Sequence, residues 1–307
     1  MSQMHTPSNR WMLGLGLSAI TTLAFGLLPI VLKGMLDVMD VFTLTWYRFA
    51  ISVLVLAPFV VRPRKMIRAN IPGLRIAATA LLAGLFISGN YLLYILGLSY
   101  LSPSSAQVLI QQASLFFLLG SLVVYRESFS RLQWLGLAIV IFGQVLFFNT
   151  RIFGMLSHFN DDARGVLLIT GAALIWAVYG LLQKRLLTTY SSATTILIFY
   201  SIGALVFLPA AQPALVFQLD GVHLVLLFGL GLISLISYAA FAEALNHWAA
   251  SRVSAILATV PVVTVIGVNI TTVLFPGLFL SESLGLLSLG GAALVVAGSM
   301  MTALGRN

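Results

Sequence analysis

The chain has 307 residues, 60% of them hydrophobic and only 8% charged, with a mean hydropathy of +1.06; a soluble domain carries about 25% charged residues, so a water-soluble fold is excluded. Its formal charge of +8 is spread over short connectors with no extended basic face, which argues against a nucleic-acid partner. No cysteine occurs, so disulfides, thiolate metal sites and a cysteine nucleophile are ruled out.

Ten apolar runs follow in chain order at roughly 11–32, 41–61, 72–97, 104–125, 131–148, 164–183, 191–209, 222–247, 251–275 and 284–304. Each suits one membrane helix of about 20 residues, and none alternates as a barrel strand does. The expected fold is an all-α membrane protein with ten transmembrane helices. The first run continues from Trp11 to about Leu32 through Pro29 with no small-residue cleavage site behind it, so it reads as a retained helix rather than a secretion signal.

Polar residues inside these spans are the candidates for function. Arg48 sits about a third of the way into the second span, where a buried ionisable group is costly and points to a site unless its long stem carries it to the interface. The third span offers Asn90 and Tyr94 at i, i+4 with Tyr91 beside them. In the fourth, Gln107, Gln111 and Ser114 form one stripe at i, i+4, i+7, bordered by Gln112; such a stripe faces a cavity or glues helices together. The fifth span carries Gly136 and Gly143, and the tenth Gly291 and Gly298, each pair on one face that permits close packing or, equally, a homodimer.

Trp176 and Tyr179 in the sixth span, and Ser237 and Tyr238 in the eighth, are either cavity walls or interfacial anchors. In the ninth, Pro261 removes a backbone donor beside Thr259, which makes a static kink or a hinge. Glu243 and Arg48 are the candidates for coupling or charge pairing. Glu243 is off-centre, so export down a substrate gradient is expected, although His247 four residues on keeps a proton relay open. The four histidines lack metal-ligand spacing, no phosphate-binding loop occurs, and the intramembrane acids do not pair, so no enzyme activity, metal or cofactor is expected.

The stretch ESFSRLQWLGLAIVIFG at 127–143 returns as ESLGLLSLGGAALVVAG at 282–298, identical at seven of seventeen positions. The third and eighth spans align at an offset of 147 through Tyr91/Tyr238, Leu98/Leu245 and Ser104/Ser251, and the eight residues separating this offset from 155 are expected around 275–281. With the amino terminus in the cytoplasm, Arg10, Arg62, Arg64, Lys65, Arg68, Arg75, Arg126, Arg131, Lys184, Arg185, Arg252 and Arg306 fall inside; only Lys33, Arg151 and Arg164 fall outside. Both termini are then cytoplasmic. Since five is odd, the units at 11–148 and 164–304, joined by an outer connector at 149–163, are inverted relative to each other, an arrangement of secondary transporters with a mid-membrane site.

Two five-helix units, each with a Glu-Ser junction (Glu127, Ser128; Glu282, Ser283) and a glycine-spaced last helix, resemble the EamA-type repeats of the drug/metabolite transporter superfamily. Within it the chain is most similar to YddG-like bacterial inner-membrane exporters of aromatic amino acids. It departs from the family pattern in carrying Arg126 and Ser281 before the junction Glu, and Ser114 where the partner of Pro261 would stand. The resemblance implies export of small amphipathic metabolites by alternating access, with cationic drugs, other amino acids or nucleobases as alternative cargo and a non-transporting receptor or scaffold as the rival class. Aromatic walls with a few amides and hydroxyls suit a zwitterion with an apolar side chain.

Overall fold

The computed structural model describes residues 10–60, 73–125, 130–187, 189–248, 250–277, 279 and 282–304. Glu127, Ser128, Arg126, Ser281, Arg306 and the basic cluster at 62–68 lie outside the described residues. The helices are α1 (Trp11–Met35), α2 (Val41–Val60), α3 (Leu74–Tyr100), α4 (Pro103–Ile110), α5 (Gln112–Tyr125), α6 (Arg131–Phe147), α7 (Ile152–Ser157), α8 (Asp161–Leu186), α9 (Ser192–Phe207), α10 (Gly221–His247), α11 (Ala250–Leu257), α12 (Val260–Leu274) and α13 (Leu286–Leu304), with a 3-10 turn at Pro213–Gln218. Among the described residues the sole β feature is an isolated bridge between Pro276 and Phe279.

Among the described residues, seven stretches are long and apolar enough to cross a membrane: α1, α2, α3, residues 161–183 of α8, 221–244 of α10, residues 252–274 across α11 and α12, and α13. The apolar helices α6 and α9 are shorter, and the apolar stretch from α4 to α5 is interrupted at Gln111. The fourth and ninth predicted spans, partners in the repeat, are thus each built from two helices. The ninth breaks at Ala258 and Thr259, just before Pro261, which sits in the first turn of α12. Its missing N–H costs nothing there, since first-turn donors have no intrahelical acceptor. The connector at 149–163 contains the short helix α7.

Local sequence sets the helix starts. Ser130 and Gln133 form a reciprocal capping box on α6, Asn160 caps α8 with Asp161 and Asp162 in its first turn, and Asp220 caps α10. At α4, Ser102 accepts from the N–H of Ser105, Pro103 has no donor, and the N–H of Ser104 donates to Glu282 Oε1 at 3.2 Å. The junction glutamate of the second copy therefore caps a helix of the first. Glu282→Ala is expected to cost about 1 kcal/mol, the usual loss of a helix cap, read as a lower unfolding temperature in detergent; an unchanged temperature would count against the cap.

The packing pairs recur when the two halves of the chain are exchanged. α1 lies on α10 as α3 lies on α8; α5 lies on α8 as α12 lies on α1; α3 meets α9 as α10 meets α2. The pairs α2 with α9 and α6 with α13 map onto themselves. The α6–α13 contact is a glycine seam: a Cβ at Gly136 would stand 2.7 Å from the Gly298 carbonyl oxygen, and one at Gly143 2.8 Å from that of Gly291. Residue 136 facing 298 while 143 faces 291 makes the helices antiparallel. Their glycine faces cover each other within one chain, which leaves them unavailable to a second copy.

Candidate functional site

Helical spacing in the third and fourth spans brings amides and rings together at the centre of the bundle. Tyr94 donates its hydroxyl to Gln107 Oε1 at 3.0 Å, and Asn90 Nδ2 donates to the Ala172 carbonyl on α8 at 2.8 Å. Gln111, at the break between α4 and α5, donates through Nε2 to the Ala258 carbonyl at the break between α11 and α12, 3.2 Å away. These residues border a cavity of about 190 Å³ together with Arg48, Tyr91, Ser114, Trp176 and Tyr238; Phe25, Leu28, Leu257 and Val260 supply apolar wall. Gln112 turns away and bonds Gln144 Oε1 at 2.8 Å, so it ties α5 to α6 instead.

Two repeat-equivalent pairs meet here. Tyr91 and Tyr238 stack with ring centroids 6.4 Å apart, and Gln111 bonds Ala258; both pairs stand at the offset of 147 that aligns the copies. The cavity therefore lies where the two copies meet.

Arg48 is only 3% exposed and does not reach an interface. Its Nε and Nη2 donate to Ser234 Oγ at 3.2 and 3.1 Å, and its guanidinium lies 4.5 Å from the Tyr91 ring centre. Among the described residues it has no carboxylate partner.

Four predicted site residues do not line the cavity. Tyr179 is buried in the neighbouring aromatic core, edge-on to Phe199 at 5.3 Å. The Ser237 hydroxyl turns back onto its own helix to the Ile233 carbonyl, and that of Thr259 closes the last turn of α11 on the Ile256 carbonyl at 2.7 Å. Pro261 is buried in the first turn of α12. A hydroxyl that satisfies a carbonyl one turn back has no need of a cavity. Glu243 also stands apart: it pairs with His247 Nε2 at 3.0 Å on α10, with its side chain 54% exposed.

A second cleft, about 490 Å³, opens where α1 and α3 end and α4 begins, and carries Lys33, Asp37, Arg151, Asp162 and Glu282. Lys33 Nζ caps the end of α3 through the carbonyls of Leu98 and Ser99 at 2.7 and 2.9 Å, and Arg151 lies 3.5 Å from Asp162. Sequence reasoning placed Lys33 and Arg151 in outer connections and Glu282 at a repeat junction; no spacing rule joins side chains drawn from so many different connections.

The sequence pattern of the EamA-like transporter family matches residues 12–149 and again residues 163–304. The chain belongs to the EamA-like transporter family. Among its relatives, an uncharacterized transporter of Haemophilus influenzae is 34% identical over 295 residues, 96% of this chain and 95% of that protein. The uncharacterized inner membrane transporter YhbE of Escherichia coli K12 is 32% identical over 296 residues, 95% of this chain and 92% of that one. A crystal structure of a protein 17% identical in sequence superposes with a TM-score of 0.62, covering 97% of this chain and 99% of the other; at that identity the likeness concerns the fold alone. This EamA-like chain is thus a multi-pass, all-helical membrane protein.

Proposed function

We propose that the chain is a secondary transporter of the bacterial inner membrane that exports small amphipathic metabolites, aromatic amino acids first among them, by alternating access. In this reading ten crossings form two inverted five-helix units at 11–148 and 164–304, with the connector 149–163 outside and both termini in the cytoplasm. The carrying observation is the cavity at the meeting point of repeat-equivalent residues, Tyr91 with Tyr238 and Gln111 with Ala258. Inverted-repeat carriers hold their cargo at such a point, flanked by discontinuous helices.

Cavity size supports a single-ring solute. At about 190 Å³ it exceeds the roughly 150 Å³ that accommodates benzene. Tyr91, Trp176 and Tyr238 would hold the ring, while Asn90, Tyr94, Gln107, Gln111 and Ser114 would orient the polar end. Cationic drugs are disfavoured, because the charged group in the lining is a guanidinium. A homodimer would need a face other than the glycine seam.

Efflux from proteoliposomes loaded with phenylalanine, tryptophan, threonine or a cationic dye tests this. The aromatic amino acids are expected to leave fastest, and Trp176→Ala to slow them; no flux of any cargo would favour a receptor. No acid lines the cavity among the described residues, so a pH gradient is expected to leave the rate unchanged. Glu243→Gln is expected to stay within about twofold of wild type, since its side chain is 54% exposed and lies outside the cavity lining. A gradient-dependent rate abolished by Glu243→Gln would restore proton coupling.

A further inference from the structure

Among the described residues, the cation in the central cavity has no counter-ion. The guanidinium of Arg48 is buried at 3% exposure, and Nε and Nη2 share one neutral acceptor, Ser234 Oγ. That hydroxyl donates its own proton to the Leu230 carbonyl at 2.7 Å, so its lone pairs face the guanidinium, yet it brings no negative charge. The Tyr91 face at 4.5 Å offers a quadrupole only. A guanidinium has five N–H donors in a planar fork, the geometry that a carboxylate fills with two parallel bonds. Two of the five are engaged here, among the described residues. A desolvated charge of this kind is costly unless something else in the site neutralises it.

Elsewhere in its lining the site offers weaker partners. Asn90 and Gln111 give their amide nitrogens to the Ala172 and Ala258 carbonyls. Those carbonyls can only accept, so each amide's orientation is fixed and its oxygen is left as the group offered elsewhere. These oxygens are neutral, and among the described residues no acid stands in the lining to hold an ammonium. The site therefore contains one strong charge requirement and no second.

We infer that the cavity is a carboxylate site: Arg48 binds small aromatic carboxylates whether or not they carry an amino group, and the corresponding amines are refused. The inference rests on the cavity being the substrate site. It reaches past amino acids to aromatic 2-hydroxy acids of the same length, whose net negative charge matches the lining better than a zwitterion's.

The test uses the full chain, purified in detergent and in proteoliposomes, with three probes sharing one ring and chain length: phenylalanine, 3-phenyllactate and phenethylamine. Both acids are expected to raise the unfolding temperature and the amine to leave it unchanged at equal concentration. In efflux, phenyllactate is expected to match or exceed phenylalanine. Arg48→Gln should weaken acid binding about tenfold or more, the loss expected of a charge-assisted bond, and Arg48→Lys should restore part of it. Should Arg48→Gln fail to fold, Ser234→Ala takes its place and should weaken acid binding severalfold by releasing the guanidinium. The inference is overturned if the amine stabilises the protein as well as the acids do, if neither acid binds, or if the variants bind acids as wild type does. Binding and efflux of phenyllactate with phenylalanine inert would overturn the inference for amino acids and remove them from the proposed cargo. Binding of both acids with no efflux of either would sink the transport reading alone.

Discussion

Gly291→Ala is expected to destabilise the protein severely, while the same change one residue earlier, at Gly290, is expected to be tolerated or slightly stabilising. A methyl group at 291 would press against the backbone nitrogen of Phe147 and stand 2.6 Å from the Gly143 carbonyl oxygen, so α6 and α13 would have to separate. Those are main-chain atoms, with no flexible side-chain end to swing aside. Gly→Ala inside a helix gains up to about 1 kcal/mol in propensity, whereas forcing atoms into a packed interface costs about 1–3 kcal/mol or more. At 291 the clash also acts on a seam that extends to the Gly136–Gly298 contact, so the cost wins. At 290 nothing lies within 4 Å of the new methyl, and only the propensity gain remains. Thermal unfolding of the two variants in one detergent decides the matter: a Gly291→Ala protein melting at or above wild type would disprove the seam.

Gln111→Ala is expected to slow efflux about tenfold or more, while Gln112→Ala lowers stability without a comparable effect on rate. The Gln111 amide links the breaks of two discontinuous segments across the cavity. Its removal loses a hydrogen bond of about 1 kcal/mol and leaves the Ala258 carbonyl unpaired at a further cost of about 1–3 kcal/mol. Gln112 bonds Gln144, which in turn holds the Val108 carbonyl at 3.1 Å, and neither lines the cavity. Initial rates normalised to reconstituted protein separate the two variants. Equal rates for Gln111→Ala and wild type would detach the cavity from transport.

Much of this architecture was legible because membrane helices write long apolar runs, and duplication writes the same residues twice. The stripe of Gln107, Gln111 and Ser114 was readable since 3.6-residue periodicity places those positions on one side, and all three border the cavity. The interruption at Gln111 had no proline to announce it. Tyr179 and Ser237 fall outside the cavity lining; periodicity says which residues share a face, not which neighbour that face meets. Arg48 was ambiguous for a related reason: a long stem can reach an interface or stay inside, and only the hydroxyl of Ser234, 186 residues away, decides which.

The hydrogen bond between Gln111 and Ala258 joins positions that the repeat makes equivalent, but its mirror image cannot form. The reverse bond would need a side-chain donor at 258, and alanine has none. If the halves trade shapes as the proposed alternating access requires, one access state would hold this link and the opposite state would have no twin for it. A bond of about 1 kcal/mol then tilts the two populations about five to one before any ligand arrives. Under that cycle a single residue that the duplication did not preserve would bias the empty protein toward one state.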